Sequence, residues 1–352
     1  MTKAAEYLRI AVENGASDVF IAAGGPVGEK LDGHIRPLGE GRLLPPDTKQ
    51  LISELYALAE RDMAEYLEKG DDDFSFAVAG LARFRVSAYR QRGSLAAVIR
   101  VVSFAIPDWR ELSIPEEVMD LARVTHGLIL FTGTAGSGKS TTQACIIDRI
   151  NRQRDCHIIT LEDPIEFLHR NQRSIVSQRE IAIDTKDCLS GLRACLRQAP
   201  DVILLGEMRD AETIRTAMTA AETGHTVIAT LHTKGTAGCI DRIIDAFPAQ
   251  QQGQIRVQLS AVLHSVVSQQ LLPDLQGGQV PAFEIMHTNS AIRSLIRDGK
   301  THQIASAIAS GGGEGMVAMD QAILELYKAG RISADTAADN ADNPEQLRRR
   351  MA

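Results

Sequence analysis

No stretch of about 18 consecutive apolar residues occurs anywhere in the 352-residue chain, which excludes a helix that crosses a bilayer on its own hydrophobicity. There is no basic excess either: 38 Lys and Arg against 45 Asp and Glu give a net charge of −7, which argues against nucleic acid held on a broad positive surface. A DNA motor with its basic residues confined to a pore is not excluded on this ground. Cysteine is sparse. The five thiols, Cys145, Cys156, Cys188, Cys195 and Cys239, contain no C-x-x-C pairing and read as buried thiols in a reducing compartment, not as a metal or disulfide framework. Met1 to Ile10 carries Lys3, Glu6 and Arg9 and lacks the apolar core of a secretory signal, so a cytoplasmic location is expected. No internal repeat or low-complexity tract stands out. What is present, 44% hydrophobic and 24% charged residues, is the composition of a globular protein long enough for about two domains.

The most specific stretch is Gly133-Thr134-Ala135-Gly136-Ser137-Gly138-Lys139-Ser140. The apolar run Leu128-Ile129-Leu130-Phe131 precedes it, and a helical stretch from Thr141 to Ile150 follows. This is the G-x-x-x-x-G-K-[ST] phosphate loop in its strand-to-helix context. Glycines let consecutive backbone N–H groups turn toward an anion without Cβ clashes. The helix N-terminus adds the positive end of its dipole, Lys139 reaches the outer phosphates, and the Ser140 hydroxyl is a hard oxygen donor suited to Mg²⁺. The segment from Gly133 through Thr141 is therefore expected to bind ATP with Mg²⁺.

Residues 1–105 read as a separate α/β domain. A helix over Ala4 to Glu13 ends at Asn14-Gly15, a strand follows at Val19 to Ile21, and Asp32-Gly33 suits a hairpin turn. Leu51, Ile52, Leu55 and Leu58 share a helical face after Pro45-Pro46, with a second short helix over Met63 to Glu68. Phe74 to Val78, Phe84 to Tyr89 and Leu95 to Val102 pattern as strands. Pro107, Pro115 and the polar residues between them suit a linker over 106–118 that could act as a hinge. From 119 to 352, apolar strands at Leu128 to Thr132, His157 to Leu161, Val202 to Leu205 and Thr226 to Leu231 alternate with helices, which implies a parallel sheet covered on both faces. One such helix, Asp210 to Thr223, stops at Gly224. Gln254 to Leu272 patterns as a long helix, the remainder to about 330 as mainly helical, Gly311-Gly312-Gly313 as a flexible break, and the tail after Asn343 as frayed.

Three further groups fit phosphoryl chemistry. The apolar strand Val202-Ile203-Leu204-Leu205 delivers Glu207 to the carboxyl end of the sheet, where a carboxylate can polarise the attacking water or hold Mg²⁺ through water. Past another strand, Glu162 and Asp163 stand where water and metal could be organised. Glu166 in the same turn fits either that site or plain solvation. His225 and His232 flank the strand Thr226 to Leu231 at an odd offset, which disfavours a shared metal site. His232, at the carboxyl end, fits either a γ-phosphate sensor or a hydrogen-bonded core histidine. Charge neutralisation beyond Mg²⁺ commonly needs an arginine from a moving domain or neighbouring subunit. Arg83, Arg85, Arg90, Arg92 and Arg100 crowd the last strands of the first domain, and Arg85 and Arg100 lie within strand patterns that would fix their directions.

Taken together these motifs resemble the ATPases of the type II/type IV secretion superfamily, most closely its twitching-motility, pilus-retraction branch. The resemblance runs over nearly the whole chain: Gly15-Ala16-Ser17-Asp18; Arg83-Phe84-Arg85-Val86; the phosphate loop; an Asp box at Glu162-Asp163-Pro164-Ile165-Glu166-Phe167; Gly206-Glu207-Met208-Arg209-Asp210; Ala220-Ala221-Glu222-Thr223-Gly224-His225; a His box ending Thr230-Leu231-His232-Thr233; and Ile240-Asp241-Arg242. Ala291 to Asp298 resembles the C-terminal signature associated with retraction. The resemblance implies a PAS-like N-terminal α/β domain followed by a RecA-like P-loop ATPase domain with a helical C-terminal region. It implies a homo-hexamer, with Glu207 as catalytic carboxylate, Glu162, Glu166 and His232 beside it, Arg85 and Arg100 reaching phosphates, and Ser140, Glu162 and Asp163 serving Mg²⁺. It further implies a cytoplasmic motor at the inner face of the cell membrane, acting on a membrane platform protein and through it on the pilin filament. The long extra N-terminal region and the tetracysteine insertion usual in extension and secretion members are not seen in this sequence. Thr134-Ala135 stands where the family usually has Pro-Thr, Phe20 where histidine is common, and Ser294 and Asp298 where the signature usually has Asn and Glu. The alternatives are an accessory retraction paralogue, another secretion-type motor, or a nucleotide-binding scaffold of low activity.

Overall fold

The computed structural model describes residues 2–31, 33–102 and 106–351. It divides into two compact units, 1–105 with 166–168, and 106–165 with 169–352.

In the first unit, α1 (Lys3–Asn14) opens under a Thr2 cap, whose side chain accepts from the Ala5 N–H. It closes at Gly15, whose φ of 77° lets its N–H return to the Ala11 and Val12 carbonyls. The strands β1 (Asp18–Ile21), β2 (Gly28–Leu31) and β3 (His34–Pro37) follow, then α2 (Pro45–Leu58) and α3 (Ala64–Lys69), then β4 (Asp71–Val78), β5 (Ala82–Gln91) and β6 (Ser94–Val102). The sheet order is β3-β2-β1-β6-β5-β4, antiparallel throughout. Phe74 and Phe76 of β4 and Phe84, Val86 and Ala88 of β5 turn inward and pack with Leu51, Ile52 and Leu55 of α2. The alternate residues face outward, the pattern of a sheet with one covered face. Leu31 lies opposite His34 in the β2–β3 hairpin and Gly33 has φ 81°; Asp32, its expected turn partner, lies outside the described residues. The short strands β2 and β3 carry too little alternation to be read from sequence, and β3 is exposed at every position.

The second unit begins with 106–118, expected as a linker. Its Trp109, Leu112, Ile114 and Val118 pack against Ile146 and Ile147, so the segment contributes to this unit's core. The elements are α4 (Glu116–Met119), β7 (Gly127–Thr132), α5 (Lys139–Gln153), β8 (His157–Glu162), β9 (Ile175–Glu180), α6 (Cys188–Cys195), β10 (Val202–Leu205), α7 (Ala211–Glu222), β11 (Thr226–Leu231), α8 (Thr236–Asp245), α9 (Ala249–Val262), β12 (Leu263–Pro273), β13 (Gln279–His287), α10 (Ser290–Arg297), α11 (Ile304–Ser310), α12 (Met319–Lys328), α13 (Ala334–Asn340) and α14 (Pro344–Met351). The sheet order is β13-β12-β7-β11-β10-β8-β9, parallel except for the edge strand β13. Both faces are covered. Leu128 and Leu130 of β7 pack into one apolar cluster and Ile129 and Phe131 into another, which is why the strand reads as a continuous apolar run. The α/β class, with a helical C-terminal region after the nucleotide-loop domain, holds.

Three C-terminal expectations are corrected. Gln254 to Leu272 is not one helix: α9 ends at Val262 and β12 runs from Leu263 beside β7. No Gly or Pro marks the switch, and pairing with a buried strand overrides the local helical pattern. The region to 330 is not mainly helical at its start, because β13 pairs with β12 along its length, and Gly312–Glu314 forms a 3₁₀ turn instead of an open break. The tail after Asn343 is helix α14: the Asn343 side chain accepts from the Gln346 N–H, Pro344 supplies a pre-set first turn, and Leu347 is buried with Leu324 and Ala337.

Candidate active site

Four neighbouring parallel strands bring the site together. In register, Leu161 of β8 lies beside Leu205 of β10, Leu205 beside Ala229 of β11, and Leu231 beside Thr132 of β7. The residues just past or closing these strands are Glu162, Glu207, His232 and Gly133, so they emerge along one edge of the sheet. Ligands of open α/β sheets bind at this carboxyl edge.

At the β7–α5 junction Gly133, Gly136 and Gly138 have φ of 141°, 77° and 84°. A Cβ on Gly133 would stand 2.4 Å from the Gln269 carbonyl oxygen, so this position admits only glycine. No side chain caps α5, whose N-cap is Gly138, and its first turn presents the positive end of a 15-residue helix. The Lys139 ammonium is buried against the loop and donates to the carbonyls of Gly133 at 2.9 Å and Thr134 at 2.7 Å. Ser140 is exposed at the helix start, Thr141 half-buried, and Thr134, Ala135 and Gly136 exposed at the loop crest. A cavity of about 420 Å³ opens beside Gly133 to Ser137, with Ser268, Gln270, Asp339 and Asn340 among its other walls, and its size suits a small-molecule site.

On the acidic side, Glu162 Oε1 accepts from the Thr160 hydroxyl at 2.5 Å and the Gln178 amide at 3.1 Å, which fixes its direction. Gly206 allows the end of β10 to pass close to the same turn: a Cβ there would meet the Leu161 carbonyl oxygen at 3.3 Å and Glu162 Cα at 3.4 Å. Glu207, one residue on, is mostly sheltered, with His232 Nε2 3.3 Å from its Oε2 and Arg209 ion-paired to its Oε1. His225 hydrogen-bonds the Ala220 carbonyl at the opposite end of β11, so the two histidines share no site. Asp163 is exposed; Glu166 is exposed too and groups with the first unit.

The sequence matches the family described as "Type II/IV secretion system protein" over residues 3–289. It is 44% identical to the type IV pilus retraction ATPase PilT of Pseudomonas aeruginosa, across 97% of this chain and 99% of that protein. It is 39% identical to the type IV pilus ATPase PilU of the same organism, across 97% of this chain and 90% of that one. Among solved structures, the pilus retraction motor PilT with bound ADP superposes with a TM-score of 0.90 at 44% identity, covering 99% of both chains. The DotB ATPase of Legionella pneumophila superposes at 0.79 with 26% identity, covering 95% of this chain and 93% of that one. The chain belongs to the type II/IV secretion ATPase family. It is a nucleotide-binding P-loop ATPase of that family, and no helix among its described residues is long and apolar enough to cross a membrane.

For a secretion ATPase, two positions carry information that sequence reading passes over. Gln269 of β12 forms the floor of the phosphate loop: its carbonyl abuts Gly133, and its side chain accepts from the Thr142 hydroxyl at 2.9 Å. Reading this segment as helix hides it, although the β-branched pair Val266-Val267 is a strand signal and Pro273 marks a boundary. Arg209 is the other, two residues past the carboxylate. Neither Cys188 nor Cys239 offers a nucleophile, because burial pushes their thiols up to about 11 and about 12. In the first unit, Arg85 lies directly opposite Arg100 across β5–β6, and Arg100 lies opposite Asp18 across β6–β1, with its Nε 3.2 Å from Asp18 Oδ1. Two guanidiniums with a single carboxylate beside them leave this row net positive.

Proposed function

We propose that this chain is a homo-hexameric motor that hydrolyses ATP to ADP and phosphate and uses the cycle to retract type IV pili through a membrane platform protein. The observation that carries the reading is the common edge at which the Lys139 loop, Glu162, Glu207 and His232 emerge from adjacent strands. The backbone from Gly133 to Thr141 grips the phosphates, and Lys139 leaves its loop carbonyls for the outer phosphate oxygens. Mg²⁺ supplies charge neutralisation when bound. Ser140, with its exposed hydroxyl, and Glu162 and Asp163 through water, would hold it. Among the described residues no three His, Cys, Asp or Glu side chains converge to cage a metal, and an ion that keeps waters and phosphate oxygens requires none.

Glu207 orients the attacking water, His232 reports the state of the γ-phosphate, and Glu166 assists from the acidic turn. Arg85 and Arg100 neutralise the charge that develops on the transferred group. The work is done at the inner face of the cell membrane, and pilin subunits are its indirect load. In the purified chain Lys139→Ala and Glu207→Gln should each lower steady-state phosphate release by about 10³-fold or more. Normal turnover in either variant would reject the site. Ser294 and Asp298, which depart from the retraction signature, favour the accessory-paralogue reading as runner-up. Counting surface pili after deletion of the gene separates the two: surplus immobile pili for the retraction motor, and unchanged piliation for an accessory.

A further inference from the structure

We infer that Arg209 is a latch on Glu207, a positioning residue that holds the carboxylate away from water until the site is engaged. The inference rests on the reading of Glu207 given above. The geometry begins with Met208, which is buried and whose N–H donates to the Thr230 carbonyl at 3.1 Å, so this residue pins the segment after β10 into the core. Glu207 and Arg209 stand on either side of this anchor, and their side chains meet in an ion pair.

Their exposures differ sharply. Glu207 is 19% exposed and Arg209 74%, so an exposed surface cation closes over a sheltered carboxylate. With Arg209 on Oε1 and His232 Nε2 at 3.3 Å from Oε2, each carboxylate oxygen already faces a cationic or ring nitrogen group. Each oxygen keeps a second lone pair, but orienting a water also requires open space beside it, and the arginine over Oε1 is the partner able to leave and open that space. The Glu207 pairing holds Arg209 above the ordinary arginine range, and the charge of a second acid, Asp163, acts on it in the same sense. The arginine thus has another carboxylate within its field when it swings away, so release leaves no charge stranded. With its arginine 74% exposed the pair is screened by solvent and weak, which suits a contact meant to break in every cycle.

The test uses the purified full-length chain, measuring phosphate release against ATP concentration for wild type, Arg209→Ala, Arg209→Lys, Glu207→Gln and the double variant Arg209→Ala/Glu207→Gln. The latch predicts that Arg209→Ala raises basal kcat by about two- to fivefold, the factor set by freeing an exposed ion pair, with KM unchanged. Arg209→Lys should return kcat toward wild type, because a cation there restores the contact. The double variant should be as inactive as Glu207→Gln alone. A kcat that falls or stays level in Arg209→Ala, while Glu207→Gln is dead, overturns the latch and leaves the site reading intact. Residual wild-type turnover in Glu207→Gln instead overturns the role of the carboxylate itself.

Discussion

The two sheets of this molecule solve opposite problems. The antiparallel sheet of the first unit covers one face and leaves the other to charged and polar residues, so its strands alternate: along β5, Phe84, Val86 and Ala88 are buried while Ser87 is exposed. The parallel sheet of the second unit is covered on both faces, and all six residues of β7 are buried. Chemistry follows from this difference. A strand with no free face can present polar groups only at its ends, and Gly133, Glu162, Glu207 and His232 all sit there. A strand with a free face can present them along its length, as Arg100 and Arg85 do across β6 and β5.

The contrast breaks if substitution costs do not track it. Phe131→Ala in β7 should destabilise the second unit by about 3–5 kcal/mol in denaturant unfolding, and Ile129→Ala, likewise fully buried, by about 2–5 kcal/mol. In β5 the cost should depend on parity: a core-sized loss for Val86→Ala, but a change within about 0.5 kcal/mol for Ser87→Ala, one residue away. Equal costs at Val86 and Ser87, or a harmless position within β7, would mean that the one-covered-face and two-covered-face descriptions are mistaken.

Acid should sharpen the comparison next, because the second unit holds a histidine, His169, whose surroundings disfavour its charged form. Burial pushes His169 down to about 4, and its buried Nδ1 has no hydrogen-bond partner; partial burial also lowers His287. A neutral histidine in the folded state must gain a proton on unfolding wherever the pH lies between the folded value and about 6.5. Stability is thus fullest above about 6.5 and is lost as pH falls toward 4. For His169 the loss should reach about 2 kcal/mol by pH 5. Burial raises the Glu284 carboxyl and works in the opposite sense, so the comparison of variants isolates the effect. Thermal scans at pH 7.5 and 5 should show a smaller drop for His169→Leu than for the wild type, and identical drops would remove His169 as the cause.

How much of this was legible in the residues follows the same physics. The phosphate loop and its four flanking parallel strands could be read because doubly covered strands are unbroken apolar runs and because Gly133, Gly136, Gly138 and Lys139 have few other uses in that spacing. The antiparallel strands β4 and β5 were readable from alternation, and β6 as the run that closes their set. The strand β12 was not: His264, Ser265 and Ser268 interrupt its apolar pattern, and its identity is decided by pairing with β7, more than a hundred residues earlier. Gln269 was lost with it. The tail helix α14 was hidden by its charge, since Arg348, Arg349 and Arg350 mask the single buried Leu347 on which it docks. Arg209 could be seen but not interpreted, because its meaning lies in the ion pair with Glu207.

The smallest effect is the most pointed test of the outward-facing row. Arg85 and Arg100 are direct cross-strand neighbours, and like charges in that position oppose pairing of the strands by about 0.2–1 kcal/mol. Asp18 offsets part of this for Arg100, to which it is paired, and the adjacent strand β4 places only Ser75 opposite Arg85. A fold selected for stability alone would put a threonine or a carboxylate at 85. Arg85→Thr should therefore leave the first unit as stable or slightly more so, by up to about 1 kcal/mol, while ATP turnover falls by about tenfold or more through lost neutralisation of phosphate charge. Gain in the one measurement with loss in the other is the signature of a cation kept for a ligand. Loss of both, with turnover falling only as far as unfolding explains, would make Arg85 a structural residue and leave the phosphate role to Arg100.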